Sequence, residues 1–467
     1  MFAKVLWWVG SFLLVAALIV YSLAGLMKAP FHPDEAMQIY ASSDFDRLLS
    51  DGPMALTTQP PYEVNSDAHL RILSGSVHRH FLGVLRALLG LGPELLPTRP
   101  GWDWNEDVST NRERGNVPSV EVLIVGRLAS ALLLALCAGV ALFVGCAVGG
   151  RWAGVGFAVL FSLHPVVLLN GRRAVQEGSM LFFGLLSFWA ALLVARRISR
   201  GASPPVFLWL LFAVFSGLCL ASKHLGLCFV LSGAAVIAAA WPLASSRAKS
   251  AAVHTSSLAL SLAGAFALFL VLSPALWINP PARIADLLRV RAELVSFQGK
   301  DLRPSLPAST SRLLVMPFAA APQYFETVDV ASGPALRAWA NTAAGSLLSG
   351  LPLHGPAGWI ATIFAAVGMA ISLGGLRARG EDALLRLAPA LWWLVTAALL
   401  VANPLPWQRY YLPLIPPSAL LATLGFLALL TSAIPLLRGL RSRLVASKGH
   451  DGKFVQQSHE KHHSQNR

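Results

Sequence analysis

The sequence predicts an all-α polytopic membrane protein of about ten transmembrane helices, and three observations carry that prediction. Of its 467 residues, 55% are hydrophobic and only 13% are charged, whereas a soluble globular chain carries about 25% charged residues. Apolar runs near the roughly 20 residues needed to cross a bilayer recur along the chain. Between them lie short basic clusters, the pattern that sets topology in membrane proteins. The formal net charge of +14 comes from those clusters and does not describe a nucleic-acid surface. The four cysteines, Cys137, Cys146, Cys219 and Cys228, sit inside apolar runs without metal-ligand spacing and read as small core residues.

The ten runs fall at about 5–26, 121–148, 152–169, 178–195, 205–221, 225–243, 257–278, 357–376, 387–403 and 410–436. The first has Lys4 ahead of it and "SLAGLMKA" behind, as a secretory leader would, but it is long for one. Kept as a helix with a cytoplasmic N-terminus, it makes the later charges consistent. Arg151, then Arg196, Arg197 and Arg200, then Arg247 and Lys249, then Arg377 and Arg379 fall on the inside. So does the tail with Arg438, Arg441, Arg443 and Lys448. Residues 1–436 thus form the transmembrane domain, and 437–467 form a basic, polar tail without apolar pattern, expected to be disordered and cytoplasmic.

The other side receives two long segments, 27–120 and 279–356, and three tight connections, "NGRRAVQEG", "SKHLG" and "NPLPWQRYYLP". In the first segment "TTQPPYEV" is a proline-rigidified turn. It precedes residues 68–90, where Leu70, Leu73, Val77, Phe81, Leu85 and Leu88 recur at helical spacing with the basic residues mostly elsewhere. That pattern predicts an amphipathic helix lying in the membrane interface. "NPPARIADLLRVRAELVSFQGKDLRPS" in the second segment reads as a basic helix, either a lid over a groove or an inert connector.

The unusual polar residues gather on this outer side. Asp34 and Glu35 follow the first run; Arg127 lies just inside the second; Arg172, Arg173 and Glu177 open the fourth. Lys223 and His224 join the fifth and sixth, and Arg409 with Tyr410 and Tyr411 opens the last. Cations are normally depleted there, and ionisable residues at membrane depth are functional candidates. Several cations beside a carboxylate pair fit an anionic lipid headgroup. Arg and Lys bind phosphate oxygens, a carboxylate can take the proton of an acceptor hydroxyl, and the cations can stabilise the departing phosphate. This predicts glycosyl transfer from a lipid phosphate at the outer face.

"HPDEA", "QPPY", "VGRLASALL", "GRRAVQEGSMLFF", "ASKHLGL", "SPALWINP" and "QRYYLPLIPP" occur in an order that resembles the GT-C glycosyltransferases. The likeness is to the branch with protein O-mannosyltransferases and the lipid A aminoarabinose transferase, over residues 1–430. The resemblance implies a polyprenyl-phosphate sugar donor and an acidic general base in the first outer loop, here Asp34 with Glu35 beside it. It implies a catalytic-pocket role for Glu177, and a donor-phosphate role for Arg172, Arg173, Lys223, His224, Arg409 and Tyr410. Arg127, Gln59 and Tyr62 are further pocket candidates. Two departures stand out: Gln59 replaces a family His before Pro60-Pro61, and Glu177 replaces an Asp.

A divalent metal (Mg or Mn) held by Asp34 and Glu177, with Glu35 and His32 near, is left open. The acceptor is a protein, a lipid or a glycan, the reaction is inverting, and the active site is extracytoplasmic. The alternative is a transporter or flippase of a lipid-linked or anionic solute. That would favour mid-membrane charges and paired broken helices, which the sequence lacks.

Overall fold

The computed structural model describes residues 2–64, 66–98, 102–103, 106–243, 250–300, 309–322, 347–378 and 380–433. Expectations for Arg247, Lys249, Arg379, most of 301–346 and the tail, with Arg438, Arg441, Arg443 and Lys448, lie outside the described residues. Every regular element among the described residues is a helix. The first half holds α1 (Phe2–Ala24), α2 (Pro33–Ala41), α3 (Ser43–Ser50), α4 (Asp67–Leu73), α5 (Ser76–Leu88), α6 (Val108–Glu113), α7 (Val120–Ser162), α8 (Pro165–Gly171) and α9 (Glu177–Ser199). The second holds α10 (Val206–Ser222), α11 (Leu227–Leu243), α12 (Ser250–Val271), α13 (Pro280–Lys300), α14 (Ser309–Val315), α15 (Gly355–Leu373), α16 (Gly380–Leu400) and α17 (Gln408–Ala433).

Eight helices are long and apolar enough to cross a membrane, fewer than the ten expected runs. The difference has two sources. The runs at 121–148 and 152–169 fall in one element, α7, whose 43 residues break between the two runs at Gly150, whose φ of 81° only glycine adopts without strain. The two limbs then fold back on each other: a Cβ on Gly145 would lie 2.6 Å from the Ala153 carbonyl oxygen. α10 is apolar but only 17 residues long, at the lower limit of a spanning helix.

α9 sits at the centre of the bundle, packed against α7, α10, α11 and α16. Its Phe188 ring stacks on the fully buried Trp392 of α16, centroids 3.9 Å apart. Ser187 shares a 2.7 Å hydrogen bond with Ser216 of α10, the kind of small-residue polar contact that joins helices in lipid. α1, α12 and α15 leave most of their apolar surface outward. At one end of the bundle Arg196 and Arg200 pair with Glu381, and Arg151 lies over the Trp7 ring. The opposite end carries α2 to α6.

The stretch 68–90 is not one helix. Ser74 and Gly75 break it between α4 and α5, and Gly75 fits so closely that a Cβ would lie 2.0 Å from the Ser222 carbonyl oxygen. The expected facing is also corrected, because α3 supplies carboxylates. Asp44 accepts Arg71 at 2.6 Å and Arg79 at 2.6 Å, and Asp46 pairs with Arg86. These partners draw the arginines of α5 inward with His78 and Leu82, while Val84 and Leu88 face outward.

His78 is fully buried, and neither ring nitrogen has a hydrogen-bond partner among the described residues. Burial, opposed by the nearby Glu177 charge, lowers its pKa to about 4. An unfolded histidine titrates near 6.5, so as pH falls the unfolded chain binds the proton first and stability drops between about pH 6.5 and 4. The whole step is worth roughly 3 kcal/mol for one such histidine. Thermal unfolding of purified protein at pH 7 and pH 4.5 should therefore show a smaller acid-induced loss in His78→Gln than in the wild type.

Candidate active site

Asp34 and Glu35 are neighbours in sequence and opposites in environment. Pro33 opens α2, where its fixed φ and missing N–H cost nothing. His32 caps the helix: its Nδ1 accepts the Asp34 N–H at 3.0 Å, and Glu35 Oε1 accepts the His32 N–H at 2.9 Å. That is a reciprocal capping box. Glu35 is fully buried and saturated. Besides His32, Oε1 accepts Arg127 Nη2 at 2.9 Å, and Oε2 accepts Arg127 Nε at 2.8 Å and the Ala174 N–H at 2.9 Å. Successive helix residues project about 100° apart. With Glu35 pinned inward, Asp34 turns to a different side.

That side is a cavity of about 510 Å³. Asp34, Glu177, Lys223, Arg409, Tyr410 and Tyr62 of the sequence-derived candidates line it. Asp34 is 28% exposed, and its Oδ2 pairs with Arg409 Nη1 and lies 3.8 Å from His32 Nδ1. Its Oδ1 is used by none of these contacts. Burial alone would raise the Asp34 carboxyl, but the charges of Arg409, His32 and Lys223 outweigh it and hold the group well below the usual carboxylate range. Glu177 opens α9 and accepts Lys223 Nζ at 2.5 Å. The Lys223 ammonium lies 5.9 Å from the Tyr410 ring centre, and the Arg409 guanidinium lies 5.3 Å from Trp407 and 5.5 Å from Tyr410.

The remaining candidates stand elsewhere. Arg172 gives its guanidinium to backbone carbonyls: Ser22 at 2.9 Å, Tyr21 at 2.8 Å and Leu348 at 2.5 Å. Burial lowers it to about 10, which leaves it charged at neutral pH. Arg173 Nε donates to Pro30 O at 3.1 Å, and its Nη2 has no hydrogen-bond partner among the described residues. Neither lines the cavity. Arg172 thus engages the last turn of α1 and Leu348, and Arg173 the Pro30 carbonyl ahead of α2, while Arg127 holds α2 through Glu35. His224 meets Phe269 edge-on, centroids 6.0 Å apart, away from the lining. Gln59 is exposed and also outside it.

Several cavity residues were not singled out from the sequence, among them Gln38, Gln176 and Arg291. Gln38 and Gln176 share a 3.2 Å amide contact. Arg291 of α13 donates to Leu73 O at 2.9 Å and pairs with no carboxylate among the described residues. Only its position in the basic stretch after "NPPARIADLL" could have pointed to it. Around it α13 presents Val290, Leu294 and Phe297 to the cavity.

Among the described residues no three His, Cys, Asp or Glu side chains are grouped to hold a metal ion. A Mg ion is commonly held by one or two carboxylates together with waters and substrate phosphates; here Asp34 and Glu177 each share an oxygen with a cation.

Removing one partner of a buried ion pair leaves an uncompensated charge and costs about 3–5 kcal/mol. Arg127→Met should therefore lower thermal stability by that order, measured as unfolding in detergent. Asp34→Asn, at the half-exposed pair, should cost well under half as much.

Residues 83–281 match the family model described as dolichyl-phosphate-mannose-protein mannosyltransferase. No curated protein matches the chain by sequence. Among solved structures it is similar to the oligosaccharyltransferase of Archaeoglobus fulgidus in the apo form, with 14% identity and a TM-score of 0.50 over 93% of this chain and 52% of that one. The same enzyme in complex with Zn and sulfate gives 13% identity and a TM-score of 0.50 over 91% of this chain and 51% of that one. The chain thus spans about half the length of these structures. By fold the chain is similar to this oligosaccharyltransferase, with eight helices long and apolar enough to cross a membrane among the described residues, and residues 83–281 match the mannosyltransferase family model.

Proposed function

We propose that the protein is a membrane glycosyltransferase that moves a sugar from a polyprenyl-phosphate donor to an acceptor hydroxyl, with inversion at the sugar carbon. The observation that carries this proposal is the cavity in which Asp34 keeps one carboxylate oxygen free beside Arg409, Lys223 and Arg291. The family match over residues 83–281 and the GT-C fold support the same reaction class.

The acceptor hydroxyl sits against Asp34 Oδ1, which takes its proton as the oxygen attacks the anomeric carbon. The bond from that carbon to the phosphate oxygen breaks on the far side, and the electron pair leaves with the phosphate. Arg409, Lys223 and Arg291 stabilise the charge that builds there. The apolar flank of Leu70, Leu73, Val290, Leu294 and Phe297 accommodates the first isoprene units of the carrier. Tyr410, Gln38 and Gln176 supply the aromatic face and neutral amides that sugar rings use. Glu177 keeps Lys223 in place. No step requires a metal.

The active end faces the extracytoplasmic side, opposite Arg151, Arg196 and Arg200, and both termini are cytoplasmic, as the positive-inside rule asks. A lipid-linked sugar, an acceptor protein, lipid or glycan, and the surrounding membrane lipids are the partners. Glu177 opens its helix, Lys223 follows the end of α10 and Arg409 lies in the first turn of α17. Charges at helix ends, with none paired at mid-span among the described residues, do not favour the transporter alternative.

Purified protein given a polyprenyl-phosphate mannose and an acceptor peptide should release polyprenyl phosphate only when the acceptor is present. Asp34→Asn should lose about 10²–10⁴-fold in turnover while still binding the lipid; turnover near the wild-type rate would remove Asp34 as the base. Arg291→Ala should raise the donor KM roughly tenfold or more, since a hydrogen bond to a charged group is worth about 1.5–3 kcal/mol. An unchanged KM would take Arg291 away from the phosphate.

A further inference from the structure

The two cations best placed for a donor phosphate are already engaged. Arg409 pairs with Asp34, and Lys223 pairs with Glu177 at 2.5 Å. A carboxylate paired through one oxygen with a guanidinium is a weaker proton acceptor at its other oxygen too, so the resting arrangement does not suit the chemistry assigned to it. The rings of Trp407 and Tyr410, stacked with centroids 5.7 Å apart, hold the Arg409 guanidinium in position whichever anion it serves.

We propose, resting on the donor assignment above, that the Asp34–Arg409 ion pair is a latch on the base: an arriving lipid phosphate draws Arg409 and Lys223 onto its own oxygens and thereby frees Asp34 for the acceptor proton. Charge balance favours the exchange. Arg409, Lys223 and Arg291 against Asp34 and Glu177 leave one positive charge, which a phosphodiester's single negative charge meets. Glu293, also at the cavity rim, is occupied by Arg289 at 3.1 Å. A phosphate offers the fork geometry that a guanidinium prefers, whereas Asp34 engages a single guanidinium nitrogen, Nη1. Donor binding therefore precedes activation, and an acceptor that enters first meets an idle base.

In this arrangement Asp34 competes with the phosphate for Arg409, so removing the carboxylate must tighten lipid-phosphate binding. The probe is farnesyl phosphate, titrated into the purified full-length protein in detergent. Asp34→Asn and Asp34→Ala should both bind it roughly tenfold more tightly than the wild type, given the strength of a close charge pair near a protein surface. In an Arg409→Ala background the same substitutions should gain less than about twofold. Equal or weaker affinity in both Asp34 variants, with measurable wild-type binding, would overturn the latch and leave the donor assignment standing. An undiminished gain in the Arg409→Ala background would also overturn it, since plain repulsion would then suffice. Absence of wild-type binding would overturn the donor assignment and the latch together.

Discussion

The buried ion pair of Glu35 and Arg127 is the constraint on which the rest of the site depends. It joins the first turn of α2 to α7, and through the Ala174 N–H it also joins the turn before α9. A carboxylate so enclosed is tolerable only because all its lone pairs are met. Once Glu35 is fixed there, helix geometry leaves Asp34 pointing into the cavity. Two adjacent acids thus divide the work: one holds the backbone, the other faces the ligand space.

The arginines divide in the same way. Arg172 binds the last turn of α1, Arg173 the Pro30 carbonyl before α2, and Arg127 the Glu35 carboxylate in α2. Gly25 is required beside them, because a Cβ there would lie 2.2 Å from the Arg172 guanidinium carbon. Arg409, Lys223 and Arg291 line the cavity instead. Being a cation at a helix end did not separate the two groups; the environment did. Where backbone carbonyls surround the guanidinium the residue is a fastener, and where an apolar-flanked cavity opens it is available to an anion.

The helical membrane architecture was legible in the sequence because apolar run length and basic clusters are composition-level signals. The chain turns back at Gly150, between the runs 121–148 and 152–169 that the sequence separates at Arg151, whereas α10, with 17 residues, lies at the lower limit of a spanning helix. That Asp34, Glu177, Lys223, Arg409 and Tyr410 converge was foreseen from their shared end of the bundle. The structural roles of Glu35, Arg172 and Arg173 were not, because partners such as Ser22 O and Ala174 N are backbone atoms that leave no trace in side-chain identity. The capping box was present in "HPDE", with histidine in a place more often held by serine or threonine. The inward arginines of α5 depended on Asp44 and Asp46, more than twenty residues earlier, which no helical periodicity reveals.

On the proposed reading, function follows from position: a buried carboxylate anchor, Glu35, and beside it a carboxylate, Asp34, that shares a cavity with Arg409, Lys223 and Arg291. The central claim is that the Glu35–Arg127 pair aims Asp34. Replacing both partners with neutral hydrogen-bonding residues, Glu35→Gln with Arg127→Gln, removes the ionic lock without leaving a lone buried charge. Turnover of a polyprenyl-phosphate sugar by this double variant should fall at least tenfold while the protein remains monodisperse and still binds farnesyl phosphate. Wild-type turnover in the double variant would contradict the claim.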